Sequence, residues 1–146
     1  MHHALFPLMT RITRLEFSAE SGSGSRMQWN HRGSGHVQVT VDGPDVFFQE
    51  AFTLDNGLPC QDRKCWHFGE EGIIFRHFRE QRFQDILLLV PDACGIHLVA
   101  QMPYSFPPDR YDGSLSLHDD TLELRLRITG ARKDEDIRYR YRADPG

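Results

Sequence analysis

Polar and apolar residues alternate with a period of two along several stretches of the chain. Val37, Val39 and Val41 alternate with Gln38 and Thr40. Leu122, Leu124, Leu126 and Ile128 alternate with Glu123, Arg125 and Arg127, and Ile137, Tyr139 and Tyr141 with Arg138, Arg140 and Arg142. Each stretch puts apolar groups on one face and polar groups on the other, the signature of a half-buried antiparallel strand. Less regular strands are expected over 10–18, 46–54, 64–69, 73–79, 82–90, 95–102 and 111–117. The breaks carry turn chemistry: Asp42-Gly43-Pro44-Asp45, Asp55-Asn56-Gly57, Gly69-Glu70-Glu71-Gly72, Asp92-Ala93-Cys94-Gly95 and Asp112-Gly113. Leu8, Ile12 and Leu15 fall at helical spacing and allow a short N-terminal helical turn, although Thr13, Leu15 and Phe17 equally fit a strand. There is no alternation of strands with long helical segments, so a parallel doubly wound sheet is not expected. About 9–10 short strands joined by short turns predict an all-β chain wound as an antiparallel up-and-down barrel, whose closure removes exposed edges.

The 146 residues, 39% hydrophobic and 26% charged, have the composition of one globular domain spanning 1–146, with 1–9 and 143–146 as irregular ends. Residues 19–35 are rich in glycine and serine, and their first part reads as a flexible hairpin loop. Met102-Pro103-Tyr104-Ser105-Phe106-Pro107-Pro108 reads as a stiff loop outside any strand. A net charge of -4 gives no support to polyanion binding, and no apolar run is long enough to span a bilayer as a helix, so neither a nucleic-acid partner nor a membrane is expected. The N-terminus has no basic region, Pro7 interrupts its apolar stretch, and no small-x-small cleavage site follows. Cys60, Cys65 and Cys94 are odd in number and irregularly spaced, which implies free thiols in a cytoplasmic protein.

Several segments carry a resemblance. These are Arg63-Lys64-Cys65-Trp66, then Phe75 through Asp85, then Ile96-His97-Leu98-Val99, and finally Gly130-Ala131-Arg132-Lys133-Asp134 leading to Tyr139. Over roughly 35–142 the chain resembles a family of small, functionally uncharacterised bacterial proteins that look like calycin-type, lipocalin-like barrels. Their pattern has an Arg-x-x-Trp strand, a Phe-x-x-Gly-Arg-x-Phe-His hairpin, a His-x-Cys strand and a closing Gly-Pro-Arg-Lys-Asp-Tyr segment. This chain departs from it at Gln81, Gln84, Val99, Ala131 and Glu135. The family has no established activity, so the resemblance implies a fold and leaves function open.

Candidate chemistry is scattered over the strands. Trp66, Phe68, Phe75 and Phe83 could wall an apolar ligand space, with Arg63, His97, Arg132 and Tyr139 around the polar end of a ligand. Glu50 shares a strand face with Phe48, Phe52 and Leu54. Burial there would raise its pKa, and paired with His97 or Arg63 it could act as a general base. Cys65, His67, His77 and His97 would have to converge to hold a metal. They show no metal-binding spacing, so neither metal nor cofactor is expected. Arg125, Arg127, Arg138, Arg140 and Arg142 read as a solvated outer face. Arg138 and Tyr139 are adjacent and so point to opposite faces. The sequence thus suggests a barrel binding a small apolar or amphipathic molecule. The alternatives are a small barrel enzyme of isomerase, cyclase or hydrolase type using Glu50 or His97, and a solid-cored interaction module, with a homodimer as a further expectation.

Overall fold

The structure is a computed structural model that describes residues 2–25, 30–95 and 97–144. Residues 26–29 of the glycine- and serine-rich segment, one residue of the expected strand 95–102 (Ile96) and the extreme chain ends lie outside the described residues. Eleven strands follow one another: β1 (Ile12–Ser21), β2 (His31–Asp42), β3 (Asp45–Leu54), β4 (Pro59–Phe68), β5 (Ile73–Arg79), β6 (Arg82–Pro91), β7 (Leu98–Ala100), β8 (Tyr104–Phe106), β9 (Asp109–His118), β10 (Thr121–Thr129) and β11 (Asp134–Ala143). From β1 to β7 each strand pairs antiparallel with the next. β7 then pairs with β9, β9 with β10, β10 with β11, and β11 returns to β1. Ten strands therefore close a ring, and β8 lies beside β9 alone. This is the up-and-down barrel that the alternation predicts.

The pairing gives the barrel two different ends. The β1–β2, β3–β4, β5–β6, β8–β9 and β10–β11 connections lie at one end, and the remaining hairpins and the chain termini lie at the other. The terminus end is closed. Residues 2–9 form a 3-10 turn (His2–Leu5) followed by one α-helical turn, α1 (Phe6–Met9), the short N-terminal helical turn that the sequence allows, with Pro7 near its start, where a missing N–H costs nothing. Met9 is fully buried in the core. Phe6 meets Phe68 edge-on at 5.1 Å, and His2 Nε2 contacts the Gly69 carbonyl oxygen at 2.6 Å. At the other terminus β11 runs through Ala143, and Asp144 pairs with Arg14 at 2.8 Å.

Two further expectations are corrected. Tyr104-Ser105-Phe106 forms a short strand and not a loop, pairing with Tyr111, Arg110 and Asp109. Pro103 and Pro107 flank it, and an edge strand tolerates them because no second neighbour needs their missing N–H groups. The expected strand 95–102 contracts to Leu98–Ala100, so the wall between β6 and β9 is bridged by only a short strand. Among the described residues, no helix is long and apolar enough to cross a membrane.

β2 starts much earlier than its alternation suggests because its first half is Gly33-Ser34-Gly35, which carries no apolar signal. The glycines are there because β3 passes unusually close. A Cβ on Gly35 would stand 2.0 Å from the Ala51 carbonyl oxygen, and one on Gly33 would stand 2.7 Å from that of Thr53. Backbone cannot yield to such contacts without moving the strand. Gly35→Ala is therefore expected to destabilise the barrel by about 1–3 kcal/mol in urea denaturation. An unchanged midpoint would mean that β2 and β3 are not in this register.

Candidate functional site

The inward columns of β3, β4, β5 and β11 bring charge into the barrel. Along β3, Val46, Phe48, Glu50, Phe52 and Leu54 face inward. On β4 the register places Trp66 beside Val46, Lys64 beside Phe48 and Asp62 beside Glu50. On β5, Phe75 lies beside Trp66 and His77 beside Lys64. Tyr139 and Tyr141 come from the inner face of β11. One strand period thus sets a carboxylate, an ammonium group and a second carboxylate within contact of one another.

The Glu50 and Lys64 side chains are 0% and 1% exposed. Lys64 Nζ donates to Glu50 Oε1 at 2.5 Å and to Asp62 Oδ2 at 3.0 Å, and it lies 3.5 Å from the centroid of the Tyr139 ring. Tyr141 donates from its hydroxyl to Glu50 Oε2 at 2.5 Å. The other Asp62 oxygen, Oδ1, meets His77 Nε2 at 2.6 Å. A continuous polar chain therefore runs Tyr141–Glu50–Lys64–Asp62–His77. Its inner end is sealed, while the Asp62 and His77 side chains at its outer end are 18% and 31% exposed.

Burying ions costs several kcal/mol each, and only close opposite charges and complete hydrogen bonding offset that cost. The titration behaviour follows. Burial raises the Glu50 carboxyl above its usual range, and the Lys64 ammonium beside it limits the rise. Burial would lower Lys64, but the Glu50 and Asp62 carboxylates and the electron-rich Tyr139 outweigh it and hold the ammonium firmly protonated. Burial would also raise Asp62, but Lys64 and the His77 hydrogen bond hold it well below the usual carboxylate range. Burial and the adjacent carboxylates push both tyrosine hydroxyls up.

The residues picked from sequence are dispersed. Glu50 is inside, as its strand face indicates, but its partners are Lys64 and Tyr141 and not His97 or Arg63. Arg63 points outward and lies over the Phe78 ring at 5.1 Å. His97 belongs to the closed end, with its ring 5.6 Å from that of His118. Arg132 is exposed in the β10–β11 turn at the opposite end. Trp66, Phe68 and Phe75 are buried core, Trp66 packing at 5.1 Å against Phe75 and 5.8 Å against Phe48. Phe83 does not join them. It sits on the outer face, 5.3 Å from Phe47 and 5.2 Å from Phe78. Tyr139 is inward and part of the polar chain. Cys65 and His67 face outward while His77 faces inward, so those groups do not converge. Burial, with the nearby Asp45 carboxylate adding to it, pushes the Cys65 thiol up to about 11. The arginines of β10 and β11 form an outer ladder with carboxylates: Arg125 pairs with Asp136, Arg140 with Glu123 and Arg142 with Glu16.

Lys64 and Asp62 are the functional candidates that sequence reasoning passed over, and His77, considered there only as a metal ligand, joins them. The signal was the column 60, 62, 64, 66, 68, in phase with Trp66 and Phe68, together with His77 in phase with Ile73 and Phe75. At the open end other inward residues also keep partial exposure, among them Gln84, Tyr111, Leu126 and Ile128. Two hollows of about 670 and 750 Å³ lie instead on the outer face of β1, β2, β3 and β11, both lined by Glu16, Ser34, Thr53 and Arg140.

No protein-family model matches the chain, and no curated protein matches it. Among solved structures it is similar to a de novo designed fluorescence-activating β-barrel, with 14% identity over 90% of this chain and 91% of that one and a TM-score of 0.42.

Two stability measurements test the polar chain. Lys64→Met leaves the buried Glu50 and the half-buried Asp62 without their cation, and a loss of about 3–5 kcal/mol is expected in denaturant titration at neutral pH. Asp62, with its folded-state pKa depressed, contributes stability that is present above about pH 4 and lost as pH falls through the folded value. Glu50, with its pKa raised, acts in the opposite sense as pH rises above about 4.3. The stability of Asp62→Asn should therefore fall less steeply below pH 4 than that of the unsubstituted protein. Identical acid slopes would remove Asp62 from the account.

Proposed function

We propose that the protein is a lipocalin-like barrel, kin in architecture to the small bacterial family it resembles, that holds a small amphipathic molecule at its open end. The observation that carries this reading is the contrast between the two ends of one lumen. At the closed end the inward side chains of Trp66, Ile73, Leu89 and Leu122 are completely buried beneath the N-terminal helical turn. At the open end His77, Tyr111, Leu126 and Ile128 face inward yet stay partly accessible, so polar and apolar groups share one mouth. Ligand sites combine apolar walls with a few fixed polar groups in this way. The site is therefore the mouth and not a cavity among the core aromatics. The free thiols of Cys60, Cys65 and Cys94 fit a reducing compartment, the cytoplasm.

A second reading, acid–base catalysis at the same end, is favoured by the 2.6 Å contact of His77 with Asp62. A histidine oriented by a carboxylate and open to solvent is a usable general base, whereas Glu50 is sealed behind Lys64. This reading predicts turnover of some bound metabolite that His77→Gln abolishes while leaving its binding intact.

Titration with decanol, followed by NMR, tests the binding reading. The expected result is saturable binding that shifts signals of Tyr111, Leu126 and Ile128 and leaves His97 and His118, at the closed end, unmoved. Ile128→Trp, which fills the mouth, should weaken binding at least tenfold. Shifts confined to the outer face, or no saturable binding by decanol or any other amphiphile of similar length, would contradict the proposal and favour a solid interaction module.

A further inference from the structure

Arg79 ends the inward column of β5, two residues beyond His77 and on the same face. Its guanidinium lies over the Tyr111 ring of β9, beyond β6 and the short β7, 5.6 Å from the centroid. Its Nε is buried and has no hydrogen-bond partner, and among the described residues no carboxylate lies within ion-pair distance of it. The neighbouring Gln84 amide donates to the Arg79 backbone oxygen at 3.0 Å and leaves the guanidinium alone. Elsewhere in the wall Arg76, Arg125, Arg127, Arg138, Arg140 and Arg142 each meet an Asp or Glu, so an unpaired half-buried arginine departs from the chain's own habit.

The register sharpens the point. A two-residue turn, Glu80-Gln81, with both residues at positive φ (54 and 69°), sets Arg82 directly opposite Arg79. Like charges directly opposed across a hairpin destabilise it, and among the described residues no ion pair relieves Arg82. An anion between them would turn that repulsion into binding. The nearby Asp62 carboxylate does not serve, because one oxygen is held by His77 and the other by Lys64.

We propose that the open end selects amphipathic carboxylates. Arg79 grips the carboxylate through the Nε edge of its fork, Arg82 adds charge at the rim, and the apolar chain lies along Tyr111, Ile128 and Leu126. The planar guanidinium matches two carboxylate oxygens at once, a geometry that a single lysine ammonium does not offer. This inference rests on the binding reading above and adds the class of the head group to it.

Titration calorimetry on the full chain with decanoate, decyl phosphate and decanol tests it. Decanoate is expected to bind at least tenfold more tightly than decanol. Arg79→Gln should reduce decanoate affinity about tenfold or more, to near that of decanol, with decanol binding unchanged. Arg79→Lys, which keeps the charge and loses the fork, should recover only part of the preference, and Arg132→Gln should recover or lose none of it. Equal binding of decanoate and decanol, both insensitive to Arg79→Gln, would overturn the carboxylate assignment and leave the binding reading standing. Preference for decyl phosphate would overturn it as well. Binding of none of the three would overturn both.

Discussion

An ammonium group inside a ten-stranded barrel is the constraint from which the rest of this structure follows. Lys64 is in its strand's inward phase, with Trp66 and Phe68 on one side and Asp62 and Cys60 on the other. The register that buries Trp66 buries Lys64 as well, because a shift by one residue would turn both outward. The barrel tolerates it by surrounding Nζ with the carboxylates of Glu50 and Asp62 and the face of Tyr139. Tyr141, on the strand that closes the ring against β1, bonds to Glu50. The charged group therefore ties β3 and β4 to the opposite wall, and the sheet's closure and its polar interior support each other.

That cluster also gives the barrel direction. Toward the chain termini the lumen is filled by aromatic and aliphatic side chains and capped by α1. Toward the hairpin of β5 and β6 the polar chain surfaces through Asp62 and His77, and Arg79 crosses to Tyr111. A lumen filled at one end, with charge graded toward the other, gives one barrel two chemically different ends. The outer ladder of arginines and carboxylates satisfies itself, while the buried Glu135 carboxylate on the inner face of β11 accepts from the Ser21 and Ser25 hydroxyls.

The strand order was readable because turn residues punctuate it and because β10 and β11 alternate without interruption. The inward face of β3 was equally legible, and with it the burial of Glu50. β4 was not, because Asp62-Arg63-Lys64-Cys65 contains three charges in succession and only Trp66 and Phe68 reveal the phase. Phe83 was assigned to the lumen for a different reason. β6 carries the unbroken apolar run Ile86 to Val90, which has no period, and a register shift opposite Phe75/Arg76 reverses its phase. Beyond that shift the inward residue is Gln84, and Phe83 faces out. Arg79 and its lack of a partner are invisible in sequence, since absence of a carboxylate within reach is a property of ten strands at once.

The chain contains one other lysine, Lys133, whose side chain is 38% exposed, and this makes the central claim directly measurable. A ¹H–¹⁵N NMR spectrum of the lysine side chains at neutral pH should show one slowly exchanging ammonium signal, from Lys64, that vanishes in Lys64→Met. The Lys133 ammonium should exchange too fast to appear. A spectrum with no protected ammonium, or a Lys64 group that exchanges as freely as Lys133, would mean that the charged chain is not inside the barrel, and the site built on it would not stand.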